Sequence, residues 1–180
     1  MTETEVLGGG RGHQLLPGDR CPDLSLKRAD GATWSVRDYQ HRTAVVVMYR
    51  GYFCSVCRDH IASYAAHRAS FAERSLDLIF VSADGPDLAS RLAKEAGMPA
   101  DLFGCEFNAL QMREWGVFRS AGGDGRPACY AEPATFVLDL NNIVFWIAQQ
   151  SLPWGSPRPK DLLTGWDFMS ERGRPIRGSA

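Results

Sequence analysis

Residues 43–64 read TAVVVMYRGYFCSVCRDHIASY, and this stretch carries most of the information on structure and chemistry. It begins with an unbroken apolar run over residues 43–49, which is typical of a central strand that is covered on both faces. Apolar residues then recur at helical spacing, so a helix is predicted over residues 55–74. Cys54 and Cys57 therefore fall where a buried strand gives way to a helix.

Shorter segments on either side complete a mixed α/β pattern. Two short strands around Asp30-Gly31 predict an N-terminal β-hairpin, because this dipeptide supplies the positive φ that a tight turn requires. A second apolar strand over residues 76–81 precedes a helix that begins at Pro86 and ends at Gly97. The remaining predicted elements are a helix at 108–115, a hairpin of strands 134–138 and 143–148, and a helix at 160–172. This order predicts a central mixed sheet flanked by helices.

Composition excludes several classes of protein. The chain has 180 residues, 44% of them hydrophobic and 23% charged, which is typical of one globular domain. Its formal net charge of −1 gives no positive field for nucleic acid or an anionic membrane, and no apolar run has the length of a membrane span. No secretory signal is visible, so we expect a cytoplasmic location. We predict a flexible tail over residues 1–20 and a single domain over residues 21–180.

The CxxC motif at the start of a helix predicts a reactive dithiol. The positive end of the helix dipole and the free N–H groups of the first turn favour a thiolate. Cys54, near the cap, is predicted to be the more exposed thiol, which attacks, and Cys57 resolves the mixed disulfide. Arg50 ends the preceding strand and Arg58 follows the pair, so both can add positive potential; surface charge is the alternative for each. This exchange needs no bound cofactor.

The segment VVVMYRGYFCSVCRDHIASY resembles the active-site strand and helix of the AhpC/TSA peroxiredoxin-like branch of the thioredoxin superfamily. An opening Pro17-Gly18-Asp19, the strand at 78–82 and the EPATFVLD segment at 132–139 are similar to the family in the same order, so the resemblance spans residues 17–172. It implies a thioredoxin-like fold and a thiol-dependent antioxidant enzyme. It also implies a thiol electron donor and a homodimer.

The resemblance assigns roles to residues around the pair. Pro133 would be the cis-proline that faces the CxxC and holds the substrate backbone, and Phe53 the aromatic residue that contacts substrate. The buried aspartate that thioredoxins carry on the active-site strand is replaced here by Met48. Glu132 is therefore our hypothetical general base toward Cys57, close to substrate. A trans proline and a solvated glutamate are the alternatives.

A peroxidase is the second interpretation. Peroxiredoxins carry the pattern PxxxTxxC and a later arginine; aligned to it, Cys57 takes the peroxidatic position. Arg50 and Cys54 then replace the proline and the threonine, and Pro133 stands where the later arginine would be. Because most of these positions are changed, we rank exchange with a protein or small-molecule disulfide first. Thiol peroxidase chemistry on peroxide, with Cys57 peroxidatic and Cys54 resolving, ranks second.

A structural zinc site is the third interpretation. Cys54, Cys57 and His60 spell CxxCxxH, with Cys129 as a fourth ligand, and zinc accepts such ligands tetrahedrally. Structural zinc sites usually pair two short ligand clusters, and this chain has one, so zinc ranks last. Two further cysteines are predicted to be small buried hydrophobes: Cys21 and Cys105.

Overall fold

The computed structural model describes residues 13–39 and 42–179. Within these residues the strands are β1 (Ser25–Arg28), β2 (Thr33–Ser35), β3 (Thr43–Met48), β4 (Leu76–Val81), β5 (Phe103–Cys105), β6 (Arg119–Ala121), β7 (Cys129–Ala131), β8 (Ala134–Leu138) and β9 (Val144–Gln149). The helices are α1 (Ser55–Ala65), α2 (Arg68–Glu73), α3 (Pro86–Glu95), α4 (Ala109–Glu114) and α5 (Pro159–Ser170).

A mixed sheet forms the centre of the fold, in the strand order β2-β1-β5-β4-β3-β8-β9. Strands β3, β4 and β5 run parallel, while β8 and β9 are antiparallel additions on one side and β1 and β2 on the other. The hairpin β6–β7 is a separate two-stranded sheet. The predicted α/β class, with a mixed sheet, flanking helices and an N-terminal hairpin at the edge, is confirmed.

Strand β3 lies between β4 and β8 and is buried along its whole length, as its apolar run predicts. Val45 and Val47 face the core cluster that contains Cys54 and Cys57. Ala44, Val46 and Met48 face the opposite cluster, which is built around Trp115 and Phe136. Since each fully buried valine contributes roughly 1.5–3 kcal/mol, this strand is a firm anchor for the loop that follows it.

The helix predicted over residues 55–74 is two helices, α1 and α2, which is a correction. The ring Nδ1 of His67 lies 3.0 Å from the carbonyl oxygen of Ser63, the group that would accept the next helical N–H. The N–H of His67 donates instead to the carbonyl of Tyr64 at 2.9 Å, which tightens the last turn and ends α1.

The hairpin β6–β7 was not predicted, because three-residue strands show too little periodicity. Residues 1–12 of the predicted tail lie outside the described residues, so its flexibility stays a prediction. Of the remainder, Leu15 is buried, and the N–H of Gly18 donates to the carbonyl of Val144 at 2.8 Å. No helix in the described part of the chain is long and apolar enough to cross a membrane.

Candidate redox site

The loop between β3 and α1 is fixed by one unusual residue and one buried carboxylate. Gly51 has a φ of +139°, a conformation that residues with a side chain rarely adopt, and its carbonyl accepts the N–H of Cys54 at 3.1 Å. The N–H of Tyr52 donates to Oδ2 of Asp84 at 2.7 Å. A Cβ on Gly51 would lie 2.9 Å from Oδ1 of Asp84. The turn therefore delivers Cys54 to the start of α1 in one defined position.

Cys54 and Cys57 are joined by a disulfide, with Cα atoms 5.3 Å apart. Cys54 is the N-cap of α1, and its sulfur accepts the N–H of Cys57 at 3.2 Å. A sulfur in this position is stabilised as a thiolate by the N–H donor and by the helix dipole. The exposed fractions of the two residues, 6% and 4%, differ little.

A cavity of about 330 Å³ lies beside Cys54 and distinguishes the two sulfur-bearing residues. Cys54 belongs to its wall, whereas Cys57 is not among the described residues that line it. Two arginines and two aromatic residues also line this cavity: Arg50, Arg126, Phe53 and Trp154. We call it the Cys54 cavity.

Arg50 is held in the wall of this cavity by two polar contacts. Its Nη2 donates to the hydroxyl of Tyr130 at 3.0 Å, and its Nε lies 3.3 Å from Oε2 of Glu132. The other carboxylate oxygen of Glu132 accepts the hydroxyl of Ser120 at 2.6 Å. The side chains of Arg50 and Glu132 are 22% and 8% exposed. Because a buried charge without a partner is costly, this pair fixes the direction of Arg50.

Phe53 lies beside Arg50 and forms the aromatic part of the wall. Its ring meets the ring of Tyr130 edge to face, with centroids 5.0 Å apart. The guanidinium carbons of Arg50 and Arg126 lie 5.6 and 5.2 Å from the Phe53 centroid, within the range of cation–π attraction. Phe53 therefore orders two positive groups next to Cys54.

Tyr52 makes a different set of contacts, on the side of α3. Its hydroxyl donates to Oε1 of Glu95 at 2.7 Å, and this hydrogen bond lowers the pKa of Glu95. The guanidinium carbons of Arg58 and Arg91 lie 5.0 and 4.9 Å from the Tyr52 centroid. Arg58, which was predicted to add potential near the thiols, is paired with Glu95 at 3.5 Å and does not line the Cys54 cavity.

Asp84 is a buried carboxyl group near the site that sequence analysis missed. It is 2% exposed, and its Oδ2 accepts the hydroxyl of Ser82 at 3.2 Å besides the N–H of Tyr52. Burial raises the pKa of Asp84, and the two hydrogen bonds partly oppose that rise. A signal existed in the sequence, because Asp84 follows β4 closely, and the carboxyl ends of the parallel strands β3 and β4 meet at one sheet edge.

Three of the residues predicted for the site meet in the Cys54 cavity: Arg50, Phe53 and Cys54. Glu132 and Pro133 are buried and do not line it; Glu132 contacts Arg50 of its wall, and the carbonyl of Pro133 accepts the N–H of Gln150 at 2.9 Å. The peptide bond between Glu132 and Pro133 is trans, so the predicted cis-proline is wrong. The roles of both residues toward substrate stay predictions.

Three other residues at the site were also missed: Tyr130, Arg126 and Trp154. They come from the hairpin β6–β7 and the turn Pro153–Gly155, far along the chain from the CxxC. The glycine-rich loop that holds Arg126 gave no periodic signal. Only the position of β7, directly before the Pro133 segment, could have pointed to Tyr130.

The zinc interpretation finds no support in the geometry. Among residues 13–39 and 42–179, no group of three or more His, Cys, Asp or Glu side chains is arranged to hold a metal ion. The sulfurs of Cys54 and Cys57 are bonded to each other. His60 packs edge to face on Tyr64, and burial lowers the pKa of its ring.

The other cysteines of the described chain are free thiols. Cys21 and Cys105 are buried as predicted, and burial raises the pKa of each to about 11. Cys129 is half-buried, with its sulfur 3.8 Å from that of Met112, and burial raises its pKa as well. Few thiolates form at such sulfurs near neutral pH, so the reactive chemistry belongs to the bonded pair.

Comparison with curated proteins identifies relatives over most of the chain. Residues 17–147 match the AhpC/TSA family. The chloroplastic peroxiredoxin Q of Gentiana triflora is 28% identical over 133 residues, which cover 73% of this chain and 58% of that protein. A protein of Mycobacterium tuberculosis that carries the name peroxiredoxin is 24% identical over 126 residues, which cover 70% of this chain and 80% of its own.

Solved structures share the fold. A peroxiredoxin-like protein from Aquifex aeolicus superposes with a TM-score of 0.73 at 18% identity, covering 88% of this chain and 90% of that one. Peroxidoxin BcpB from Mycobacterium tuberculosis superposes with a TM-score of 0.69 at 16% identity, covering 89% and 98%. These structures confirm the predicted thioredoxin-like fold. The family match, with these relatives, shows that the chain belongs to the AhpC/TSA family and is a peroxiredoxin-like, thiol-dependent antioxidant enzyme.

Proposed function

We propose that this protein is a thiol-dependent peroxidase that cycles through the Cys54–Cys57 disulfide. One observation carries the proposal: the two sulfurs are bonded at the start of α1, in a chain of the AhpC/TSA family. Its relatives named above are peroxiredoxins, which favours peroxidase chemistry over the dithiol–disulfide exchange that the sequence analysis ranked first.

In the oxidising half-reaction, the thiolate of Cys57 attacks the terminal oxygen of a hydroperoxide. The O–O bond breaks, the leaving oxygen takes up a proton and departs as water or an alcohol, and the sulfur becomes a sulfenic acid. The thiol of Cys54 then attacks this sulfur, and water leaves as the disulfide forms. The Cα separation of 5.3 Å lies within the range that a disulfide requires, so resolution needs no large movement of the backbone.

In the reducing half-reaction, an external thiolate attacks the sulfur of Cys54, and Cys57 leaves as a thiolate. A second donor thiol attacks the mixed disulfide and leaves with the first donor as their disulfide. One peroxide thus consumes two donor thiols. A reducing cytoplasm, the compartment we propose, would supply them.

The neighbouring residues would act on the two sulfurs in different ways. Arg50 adds positive potential, and Phe53 provides an apolar contact for substrate. One carboxylate oxygen of Glu132 accepts the hydroxyl of Ser120, and the other forms an ion pair with Arg50 at 3.3 Å without a hydrogen bond. These contacts support a positioning role for Glu132, through Arg50, better than a role as general base toward Cys57. Pro133 remains a proposed contact for substrate.

Exchange with an external disulfide is the second candidate function. It is favoured by the position of Cys54, which is the N-cap of α1 and lines the cavity. In that reaction Cys54 would attack the substrate disulfide and Cys57 would resolve the intermediate.

The two functions differ in which sulfur reacts first. Reduced protein, and the variants Cys57→Ser and Cys54→Ser, are offered hydrogen peroxide or, separately, the disulfides of insulin. We expect Cys57→Ser to lose peroxide consumption, and Cys54→Ser to complete one turnover and retain a sulfenic acid on Cys57 that dimedone traps. Cys129→Ser is the matched control and should keep full activity.

A different result would contradict the peroxidase proposal. If only insulin is turned over and Cys54→Ser abolishes that turnover, dithiol–disulfide exchange is the function. If dimedone labels Cys54 alone, Cys54 and not Cys57 is the sulfur that attacks peroxide, and the assignment of the two cysteines is wrong.

A further inference from the structure

The Cys54 cavity carries a positive charge that its described surroundings leave unmatched. Arg50 is paired with Glu132, at 3.3 Å. Arg126 comes from the β6–β7 loop and packs over Phe53. No carboxylate in residues 13–39 and 42–179 lies within ion-pair distance of Arg126. One guanidinium at the cavity is therefore available to an anion.

The rest of the wall fits a small organic molecule. A volume of about 330 Å³ lies at the lower end of the range for small-molecule sites. Phe53 offers an aromatic face, and Trp154, which is 74% exposed, lines the same cavity. A ligand with one anionic group and a short apolar chain would contact both the guanidinium of Arg126 and the aromatic rings.

The position of the cavity beside Cys54 also determines in which half-reaction a bound molecule takes part. Only Cys54 of the bonded pair belongs to the described wall. Attack on the sulfur of Cys54 is the step that an electron donor performs, whereas peroxide must reach Cys57. A molecule held in this cavity is therefore placed to reduce the disulfide.

From these observations we propose that the Cys54 cavity binds a low-molecular-weight thiol that carries a carboxylate, and that this thiol is the electron donor. The proposal rests on the proposed function in one respect, that the disulfide is an intermediate of the cycle. Arg126 holds the carboxylate, Arg50 adds positive potential, and the donor thiolate faces Cys54.

The reduction balances with two donor molecules. The first donor thiolate forms a bond to the sulfur of Cys54, the Cys54–Cys57 bond breaks, and Cys57 leaves as a thiolate. The second donor attacks the first donor's sulfur in the mixed disulfide and releases Cys54. Two electrons pass from two donor thiols to the protein disulfide, the donors leave as one disulfide, and their two protons end on the protein sulfurs.

The test measures disulfide reduction alone, in the oxidised full-length protein. Three thiols of similar size are compared at equal thiolate concentration: 3-mercaptopropionate, 2-mercaptoethanol and cysteamine. Acid quenching followed by thiol counting gives the rate constants. We expect the anionic thiol to react about tenfold faster than the neutral one, the cationic thiol to be slowest, and added salt to reduce the difference.

Charge variants assign this preference to one residue. Arg126→Gln should lower the ratio of anionic to neutral rate constants about fivefold, which leaves the part that Arg50 supplies. Arg126→Lys should retain more of the ratio, because a lysine supplies the charge without the planar guanidinium. Arg68→Gln is the matched control. It removes an exposed positive charge at the start of α2, beyond the far end of α1, and should leave the ratio unchanged.

Equal rates for the three thiols, or an Arg126→Gln variant that slows all three by the same factor, would overturn the proposal. Reduction by an acidic protein donor only, with no charge preference among small thiols, would overturn it too. Peroxide consumption by chemically reduced protein is measured separately. If peroxide is not consumed but the preference for the anionic thiol stands, the proposed peroxidase function fails while the assignment of the donor class holds.

Discussion

The neighbouring rings of Tyr52 and Phe53, in the loop before the CxxC helix, contact the same kinds of residue but have different roles. Each ring has two arginines over it and a glutamate beside them. The Tyr52 side consists of Tyr52, Arg58, Arg91 and Glu95, and the Phe53 side of Phe53, Arg50, Arg126 and Glu132.

The difference lies in how the glutamates are shared. Glu95 pairs with Arg58 at 3.5 Å and with Arg91 at 3.1 Å, and it also accepts the Tyr52 hydroxyl, so the Tyr52 side is saturated and ties the loop to α3. Phe53 has no hydroxyl to hold a carboxylate. Glu132 turns inward to Ser120 and Arg50, which leaves Arg126 over the cavity. The same residue types thus fix the loop to α3 on the Tyr52 side and form part of the Cys54 cavity on the Phe53 side.

The largest effect is expected where both sides depend on one turn. Gly51→Ala should lower the free energy of unfolding by about 3 kcal/mol, because a Cβ at φ +139° is strained and would lie 2.9 Å from Asp84 Oδ1. Urea denaturation measures it. Gly31→Ala is the control, with φ +89° and nothing within 4 Å of the added Cβ, and should cost about 1 kcal/mol. Equal losses in the two variants would show that contact with Asp84 contributes nothing.

The two glutamates should differ in stability cost, which tests the comparison directly. Glu132→Gln should lower the free energy of unfolding by about 2 kcal/mol, since it leaves the largely buried charge of Arg50 without its partner. Glu95→Gln should cost clearly less than Glu132→Gln, because the side chain of Glu95 is 42% exposed. Urea midpoints measured side by side decide the order. A larger loss in Glu95→Gln than in Glu132→Gln would contradict the proposed difference between the Tyr52 side and the Phe53 side.

Glu132→Gln has a second readout, the pH dependence of peroxide consumption. A general base toward Cys57 would make the profile depend on Glu132. For the positioning role we expect the rate to fall while the profile keeps its shape, together with a larger preference for the anionic donor, because the positive charge of Arg50 is no longer matched.

The smallest effect concerns Asp84, whose folded-state pKa is raised by burial. As pH rises above the ordinary pKa of an aspartate, about 4, the unfolded state loses this proton before the folded state does, so the free energy of unfolding falls. Asp84→Asn has no ionisable group at this position and therefore lacks this pH-dependent loss of stability. We therefore expect the stability of the variant relative to the native protein to rise with pH, as urea midpoints from pH 4 to 7 would record.

A residue with the opposite shift is the control for Asp84. Arg74 lowers the pKa of Asp167 through a hydrogen bond, so Asp167 contributes stability above its ordinary pKa, and this stability is lost as pH falls. The deficit of Asp167→Asn should thus shrink toward acid pH. If Asp84→Asn and Asp167→Asn changed with pH in the same direction, burial would not control the Asp84 carboxyl.

The architecture was accessible from the sequence because its elements have strong local signals. The apolar run of β3 and the Asn108 cap of α4 are examples; the cap forms as a full capping box with Gln111. The break between α1 and α2 was not accessible, since it depends on a histidine ring taking one helical carbonyl. The hairpin β6–β7 was missed because its strands are too short to show a period.

The residues of the site likewise fall into those with a local sequence signal and those placed by tertiary packing. Arg50, Phe53 and Cys54 are close in sequence, and local reasoning brought them together. Arg126 reaches the loop only through tertiary packing, so nothing in the neighbouring residues points to it. For Asp84 the signal was its place directly after β4, whose end meets that of β3. The expected cis-proline came from the family pattern, and the trans bond before Pro133 departs from it.

The sulfur of Cys54 is both the atom that the electron donor would attack and the acceptor of the Cys57 N–H in the first turn of α1. Alkylation or persistent oxidation of this thiol would therefore also weaken the first turn of the helix, and the amide hydrogen of Cys57 would exchange with solvent faster. Modification of this one sulfur would therefore also loosen the backbone that holds both cysteines in place.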